Sequence, residues 1–186
     1  MSDSADRPID GEEPTNERPM QQKILEEHLD ETDFRIFLEL NADGRLPDTE
    51  LADRVGLSRT AVRRRRDNLV QEGVIDIHAV IVLQEANLSY ANVHVVLDGT
   101  ADSTSRDAFI SRLIENDLIY SLDSCLHRYD LIASFWHSSM GELKNHIWST
   151  FENEAVVEEY DIVPIVKTWK AWDKVLAAPT DSSYVD

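Results

Sequence analysis

The apolar pattern of this chain changes its period at Gly73. Before that glycine, apolar residues recur at the helical spacing of three and four, in short segments separated by turn residues. After it, β-branched residues form extended runs, the first of them between Val74 and Leu83. Glycine is also the residue type expected just past the end of a helix. The change predicts an α+β chain in which a small helical domain precedes a domain built around a sheet.

Three helices are predicted before Gly73. Asp30 and Ser58 are typical N-cap residues and precede the first and third of them. The predicted helices cover about 31–40, 47–56 and 59–72. Since only a short turn separates the last two, we predict a winged-type, three-helix helix-turn-helix domain.

Beyond the helices, the pattern predicts the element order βαββαβ. Strands are predicted over 90–97, 119–125, 129–136 and 156–168, with helices around 109–114 and 140–151. This is the order of a ferredoxin-like sandwich, in which the last strand lies at the edge of the sheet. Pro164 fits that position, because proline has no N–H to donate to a neighbouring strand.

One face of the predicted sheet is too apolar to remain in water. The helices cover one side, and the other side carries Tyr90, His94, Ile132 and Trp136. A second copy of the chain covers such a face most economically, so we predict a homodimer.

The chain is strongly acidic except in one segment. It has 36 Asp+Glu against 18 Lys+Arg, a formal net charge of −18, and the acids are spread along its whole length. Composition alone fits either an acidic interaction surface or a protein of salt-adapted, haloarchaeal cytoplasm, and the even spread of the acids favours the second. Six arginines nevertheless fall between residues 54 and 66, on the second and third predicted helices. This basic cluster is the electrostatic exception in the chain.

The position of this cluster predicts double-stranded DNA as a partner. In a helix-turn-helix the last helix enters the major groove, and arginine is well suited to bidentate contact with guanine. The alternative is that the arginines are only a solvated face with no ligand. The position of these arginines on the recognition helix disfavours that alternative. The predicted DNA-binding residues are Ser58, Arg59, Thr60, Arg63, Arg64, Arg65 and Arg54.

Other classes of protein find little support in the sequence. Cys125 is the only cysteine, which excludes a disulfide framework and a zinc finger. No apolar run approaches the ~18 residues of a membrane span, and the N-terminus lacks the features of a signal peptide, so we expect a cytoplasmic location and no membrane partner. The histidines show no ligand spacing, and no enzyme motif occurs. We therefore expect no metal, no cofactor and no catalytic residues.

Composition and pattern together divide the chain into five segments. We predict an acidic disordered tail over 1–28, the helix-turn-helix over 29–74, a strand or linker arm over 75–89, the βαββαβ domain over 90–172, and a C-terminal tail over 173–186.

Several motifs resemble the Lrp/AsnC family of transcription regulators, in which a helix-turn-helix precedes a ligand-sensing RAM domain. The resemblance covers roughly residues 29–172. Its matching stretches are Leu29-Asp30-x-x-Asp33-x-x-Ile36-x-x-x-Leu40, Gly44-Arg45, Glu50-Leu51-Ala52-x-x-Val55-Gly56-Leu57-Ser58, Arg65, Leu69, Gly73-Val74-Ile75 and Tyr129-Asp130. The resemblance implies a sequence-specific DNA-binding regulator that reads a pseudo-palindromic site as a homodimer, or as an octamer assembled from four such dimers. Arg66 departs from the pattern, because the family usually has an aliphatic residue there; either the helix is slightly rotated or this arginine extends past Leu69.

The resemblance also implies a small effector, commonly an amino acid, near the hairpin between the second and third strands. The family usually has a glycine where this chain has His127, and a missing glycine closes space beside the backbone. The hairpin is therefore an altered effector site or an ordinary polar turn. The candidate effector residues are Asp123, Ser124, His127, Arg128, Tyr129 and Asp130.

Two alternative functions are weighed against DNA binding. Haem-pathway, sirohaem-type decarboxylases resemble this family in both domains, and His127 and His137 bracket the third strand. The other alternative is a sensor that has lost DNA binding. Five arginines within residues 59–66 are of no use to either.

Overall fold

The computed structural model describes residues 20–172 and 174–178, and its chain divides into two compact units between Ala79 and Val80. The described residues of the first unit, 20–79, form four helices, α1 to α4, with the bounds Met20–Leu25, Glu31–Ala42, Asp48–Val55 and Arg59–Gln71. Within the described ranges, no helix has both the length and the apolar character needed to cross a membrane.

The ends of these helices follow from local hydrogen bonding, as the sequence predicts. Asp30 caps α2 by accepting a 2.8 Å hydrogen bond from the Asp33 amide. Ser58 caps α4 in the same way, at 3.2 Å from the Ala61 amide. Gly56 ends α3 at φ 75°, in the left-handed region that favours glycine. The three predicted helices are confirmed to within one or two residues at each end.

The helical unit is held together by apolar side chains from all three predicted helices. Its fully buried members are Ile36, Leu51 and Val62, one from each of α2, α3 and α4. Leu69 packs at the other end of α4, two turns from Val62. This core fixes which side of α4 faces inward and which faces solvent.

The prediction of a disordered tail over 1–28 is wrong for the residues that the structure describes. Met20–Leu25 forms α1, and Leu25 and Leu29 pack against the core of the helical unit. Leu29 lies four residues after Leu25, beyond the end of α1, and its amide donates a 2.8 Å hydrogen bond to the Leu25 carbonyl, a signal hidden in the sequence by the surrounding acids and glutamines. Residues 1–19 of this predicted tail lie outside the described residues.

The arm after α4 is a linker, since residues 74–88 form no strand. Ile77, Val80 and Ile81 are exposed there despite their β-branched side chains. β-branched residues favour an extended backbone, but they form a β-strand only where a neighbouring strand is present to hydrogen-bond with.

The second unit is a four-stranded antiparallel sheet in the order β2-β3-β1-β4, packed against two helices. Its elements are β1 (Ser89–Leu97), α5 (Ser103–Ile114), β2 (Ile119–Ser124), β3 (Leu131–His137), α6 (Met140–Phe151) and β4 (Val157–Pro164). The βαββαβ order is confirmed, and β4 lies at the edge as Pro164 indicated. The rings of Phe109, Phe135 and Phe151 meet edge to face between sheet and helices, at centroid distances of about 6 Å.

The sheet face turned away from the helices is less exposed than the sequence suggests. Tyr90 is only 6% exposed, and its hydroxyl lies 2.9 Å from the hydroxyl of Thr168. His94, Ile132 and Trp136 are half-buried. Tyr90 therefore does not require a second subunit for its burial.

The prediction that residues 173–186 form only a tail is also wrong in part. Lys170–Ala171 (β5) pairs with Lys174–Val175 (β6), and the Leu176 amide donates to the Trp169 carbonyl at 2.8 Å. These backbone hydrogen bonds leave little trace in side-chain periodicity. Asp173 and residues 179–186 lie outside the described residues.

His146 on α6 makes the stability of the second unit dependent on pH. Burial, and to a lesser extent the nearby His137, lowers the pKa of His146 below its ordinary value. The unfolded chain therefore binds the proton more readily than the folded chain, and stability is lost as the pH falls below about 6.5. We expect the melting temperature to drop between about pH 7.5 and about pH 5.5, and to drop less in His146→Gln, as measured by circular dichroism. Equal drops in the two proteins would contradict this assignment.

Candidate nucleic-acid interface

The outward face of α4 carries the cations that are best placed to meet DNA. Arg59, Thr60, Arg63 and Arg64 are all exposed, whereas Val62 and Leu69 point into the core. The spacing of three and four brings Thr60, Arg63 and Arg64 onto one side of the helix. The Arg63 side chain is 65% exposed.

The N-terminus of α4 also favours an anion. Its first turn contains no acidic residue, and Arg59 stands at its first position. The partial positive charge of the exposed amides at this end is therefore not neutralised by the helix's own side chains. A phosphate group is the natural ligand of such an end.

Arg65 lies on the inner side of α4 and bonds to α2. Its Nη1 atom lies 2.7 Å from Asp30 Oδ2 and 2.8 Å from Asp33 Oδ1. The hydrogen bonds to Asp33 and Asp30 raise the pKa of the Arg65 guanidinium. Partial burial works to raise the pKa of Asp30, but the Asp33 amide and Arg65 hold it below its ordinary value. Arg65 thus joins the recognition helix to the first turn of α2.

Arg54 is likewise engaged within the helical unit. Its guanidinium bonds to Glu39 of α2 at 2.8 Å and to Glu50 of its own helix. These hydrogen bonds, that to Glu39 foremost, raise the pKa of Arg54. Its backbone carbonyl accepts a 3.0 Å hydrogen bond from Arg35. The structure therefore places Arg54 and Arg65 against carboxylates, apart from the exposed arginines of α4.

Arg66 occupies its inward position as an ion pair. Its side chain is 26% exposed and bonds to Asp48, which is 13% exposed, in the first turn of α3. A second nitrogen lies 3.2 Å from Asp67. The position that is usually aliphatic in the resembled family is therefore filled by an arginine whose charge Asp48 balances.

Sequence reasoning missed the carboxylates that hold these arginines. Arg65 and Arg66 lie three and four residues after Val62, so helical spacing alone turns them toward the core. A half-buried cation needs an anionic partner, which could have directed attention to Asp33 and Asp48. Which acid pairs with which arginine depends on how the helices pack.

The candidate effector residues of the hairpin fall into two groups, one that contacts β4 and one that does not. Tyr129 donates a 2.9 Å hydrogen bond to Asp161 of β4, and its ring meets the edge of His94 at 4.8 Å between centroids. The bond to Asp161 and partial burial raise the pKa of the Tyr129 phenol. Arg128 lies over the same ring and 3.8 Å from Asp161. Arg128 and Tyr129 thus form one polar cluster with β4.

The other candidate effector residues lie outside that cluster. Asp130 is structural, because its carboxylate accepts the Leu97 amide at 2.8 Å. Asp123 and Ser124 are exposed at the end of β2. His127 is exposed with φ at 89°, so the hairpin keeps a conformation that favours glycine although a histidine occupies it. Among the described residues, no group of three or more His, Cys, Asp and Glu side chains is arranged to hold a metal.

Comparison with known proteins agrees with this geometry. Residues 29–76 match the family model of winged helix-turn-helix DNA-binding domains. An HTH-type transcriptional regulator of Pyrococcus horikoshii is 29% identical over 150 residues, which cover 78% of this chain and 94% of the relative. The chain is therefore homologous to a helix-turn-helix regulator over both of its domains.

Two solved structures show the same fold at lower identity. A transcriptional regulator of Neisseria meningitidis, solved as its L-Met complex, has a TM-score of 0.70 and 22% identity over 82% of this chain and 97% of its own. An AsnC family transcriptional regulator from Agrobacterium tumefaciens has a TM-score of 0.68 and 17% identity over 82% and 98%. The predicted fold class is confirmed.

The Arg66–Asp48 pair should contribute measurably to the stability of the helical unit. We expect Arg66→Ala to cost about 1.5–3 kcal/mol, because it leaves a largely buried carboxylate without its charged partner. Arg66→Leu combined with Asp48→Ala removes both charges and should recover most of that loss. Arg64→Ala, an exposed arginine of the same helix, is the control and should stay within about 0.5 kcal/mol of wild type. Urea denaturation gives the free energy of unfolding of wild type and the three variants. An Arg66→Ala protein as stable as Arg64→Ala would contradict the role assigned to this pair.

Proposed function

We propose that this chain, a DNA-binding helix-turn-helix transcription regulator with the fold of Lrp/AsnC proteins, reads a pseudo-palindromic duplex as a homodimer in the cytoplasm. Each subunit places α4 in the major groove, so the two half-sites lie about one helical turn apart or a multiple of that. The family assignment rests on the comparisons, and the mode of reading is our inference from α4.

One observation carries the proposed reading mode: the six arginines between residues 54 and 66 fall into two groups, according to whether they pair with a carboxylate of another helix. Arg54, Arg65 and Arg66 do so, binding carboxylates of α2 or α3. Arg59, Arg63 and Arg64 extend from one helix into solvent. In an acidic chain, such a local concentration of exposed cations favours a polyanion at this surface and not elsewhere.

The proposed roles follow from position along α4. Arg63 and Arg64 lie past the first turn on the outward face, where side chains reach base edges, and we assign them to guanine. Ser58, Arg59 and Thr60 surround the helix N-terminus, and we assign them to phosphate contacts. Arg54 and Arg65 hold the helices in place. We assign them an indirect role, in which they position α4 without contacting DNA themselves.

We further propose that the second unit dimerises and senses a small effector. The half-buried His94, Ile132 and Trp136 mark the sheet face as the dimer contact, and assembly of such dimers would give an octamer. The relative solved with L-Met supports an amino acid as the effector class. Arg128 and Tyr129 are the best-placed recognition groups, because a carboxylate of an amino acid would meet the guanidinium of Arg128.

The comparisons do not support the decarboxylase alternative. The named relatives are transcription regulators, and a regulator needs no catalytic residue. His127 is exposed on the hairpin, and His137 bonds to the neighbouring Ser138. We therefore propose that the chain is not an enzyme.

DNA binding should depend on the outward arginines of α4. We expect Arg63→Ala/Arg64→Ala to weaken binding to the preferred duplex by about fivefold to 150-fold per arginine, because each bidentate contact discriminates by about 1–3 kcal/mol. The duplex is obtained by selection from a random pool with the wild-type protein, and fluorescence anisotropy measures affinity over a range of KCl concentrations.

The matched control removes two positive charges from the other unit, in Arg112→Ala/Lys144→Ala. This variant should bind the selected duplex nearly as tightly as wild type, because both changed residues lie on the helices of the sheet unit. Equal losses in the two double variants would show a general charge effect and contradict the proposed reading face.

An amino acid should alter DNA binding through the hairpin. We expect at least one standard amino acid, L-methionine being tested first, to shift the anisotropy titration, because an effector changes affinity when it favours one arrangement of the subunits. Arg128→Ala should abolish the shift without changing affinity in the absence of effector. A shift that survives this substitution would place the effector elsewhere, and no shift with any amino acid would contradict the proposed effector class.

A further inference from the structure

Asp67 is the one acidic residue on the face of α4 that carries the exposed arginines. It lies one turn after Arg63, and its side chain is 43% exposed. A carboxylate at a surface meant for DNA repels phosphate, so its presence there requires an explanation. Its contacts provide one.

The two oxygens of Asp67 contact two different arginines. Oδ2 lies 3.7 Å from Nε of Arg63, and Oδ1 lies 3.2 Å from Nη2 of Arg66. Arg66 is in turn bound to Asp48 at the start of α3. A continuous chain of charges therefore runs from a largely buried aspartate, through Arg66 and Asp67, to an arginine in solvent.

The distance between Arg63 and Asp67 is measured at the Arg63 Nε atom. The two terminal nitrogens lie beyond Nε at the tip of this 65% exposed side chain, and they form the planar fork that matches O6 and N7 of guanine. An arginine side chain held by a neighbour loses less conformational freedom on binding than a free one. Asp67 in turn accepts a 3.2 Å hydrogen bond from Arg66, which favours one orientation of its carboxylate.

We propose that Asp67 is a positioning residue that determines specificity: anchored through Arg66 to Asp48, it holds Arg63 toward a base edge and away from the phosphates. The proposal rests on the assignment of Arg63 to base reading made above. In addition, the negative charge of Asp67 disfavours the binding of Arg63 to the DNA phosphates, a contact that every sequence offers.

Two effects of substituting Asp67 must be separated. Removing a negative charge near DNA tightens binding to every duplex by a similar factor. Loss of the support for Arg63 instead reduces the ratio between the affinities for the selected duplex and for a scrambled one. This affinity ratio is therefore the readout, since a uniform electrostatic change leaves it unaltered.

The test compares Asp67→Asn with Asp53→Asn, which removes one exposed carboxylate from α3. We expect Asp67→Asn to lower the affinity ratio by about fivefold, a part of what a good bidentate contact contributes. Asp53→Asn should leave the ratio unchanged. Asp67→Glu, which keeps the carboxylate, should restore part of the loss. Circular dichroism of each variant establishes that α4 is intact.

A double-mutant cycle shows whether Asp67 acts through Arg63. In an Arg63→Ala background, Asp67→Asn should lower the ratio no further. Equal behaviour of Asp67→Asn and Asp53→Asn, or a loss that persists without Arg63, would overturn the proposal and leave the reading face intact. If Arg63→Ala alone leaves the ratio unchanged, the base-reading role fails, and the positioning role of Asp67 fails with it.

Discussion

The recognition helix is held by ion pairs between its inner arginines and the first turns of the two preceding helices. Arg65 reaches Asp33 at the start of α2, and Arg66 reaches Asp48 at the start of α3. Acids in a first turn are already favoured by the helix dipole, so each carboxylate serves both its own helix and α4. An aliphatic contact would tolerate some rotation of α4, whereas a hydrogen-bonded ion pair fixes its angle. The direction in which Arg63 and Arg64 point depends on this constraint.

The elements of the fold could be predicted from the sequence because their signals are local. The caps at Asp30 and Ser58, and the alternation in β1, each involve neighbours a few residues apart. The partners of Arg65 and Arg66 could not be predicted in this way, because they lie 18 to 35 residues away and pair only after the helices pack. The burial of Tyr90 was missed for the same reason, since Thr168 is 78 residues distant.

The two candidate sites differ in how much of their arrangement can be predicted from the sequence. On α4, helical spacing alone separates the outward Arg63 and Arg64 from the inward Arg65, so the exposed set was within reach of the sequence. On the hairpin, six neighbouring polar residues looked equivalent, and only the structure divides Asp130, which bonds to the Leu97 amide, from Tyr129, which bonds to Asp161. The φ of 89° at His127 shows that the backbone conformation persists without the glycine that usually favours it.

The acidity of the chain sharpens the role of the few exposed arginines. With 36 acidic residues against 18 basic ones, most of the surface repels a polyanion, and among the described residues only the outward side of α4 offers exposed arginines in series. In concentrated salt the screening length falls to about 3 Å at 1 M, so long-range attraction contributes little and direct contacts decide binding. Under those conditions affinity depends on how well each arginine is oriented before DNA arrives. A carboxylate that positions Arg63 is then more useful than an additional cation, because the cation would strengthen binding to every sequence alike.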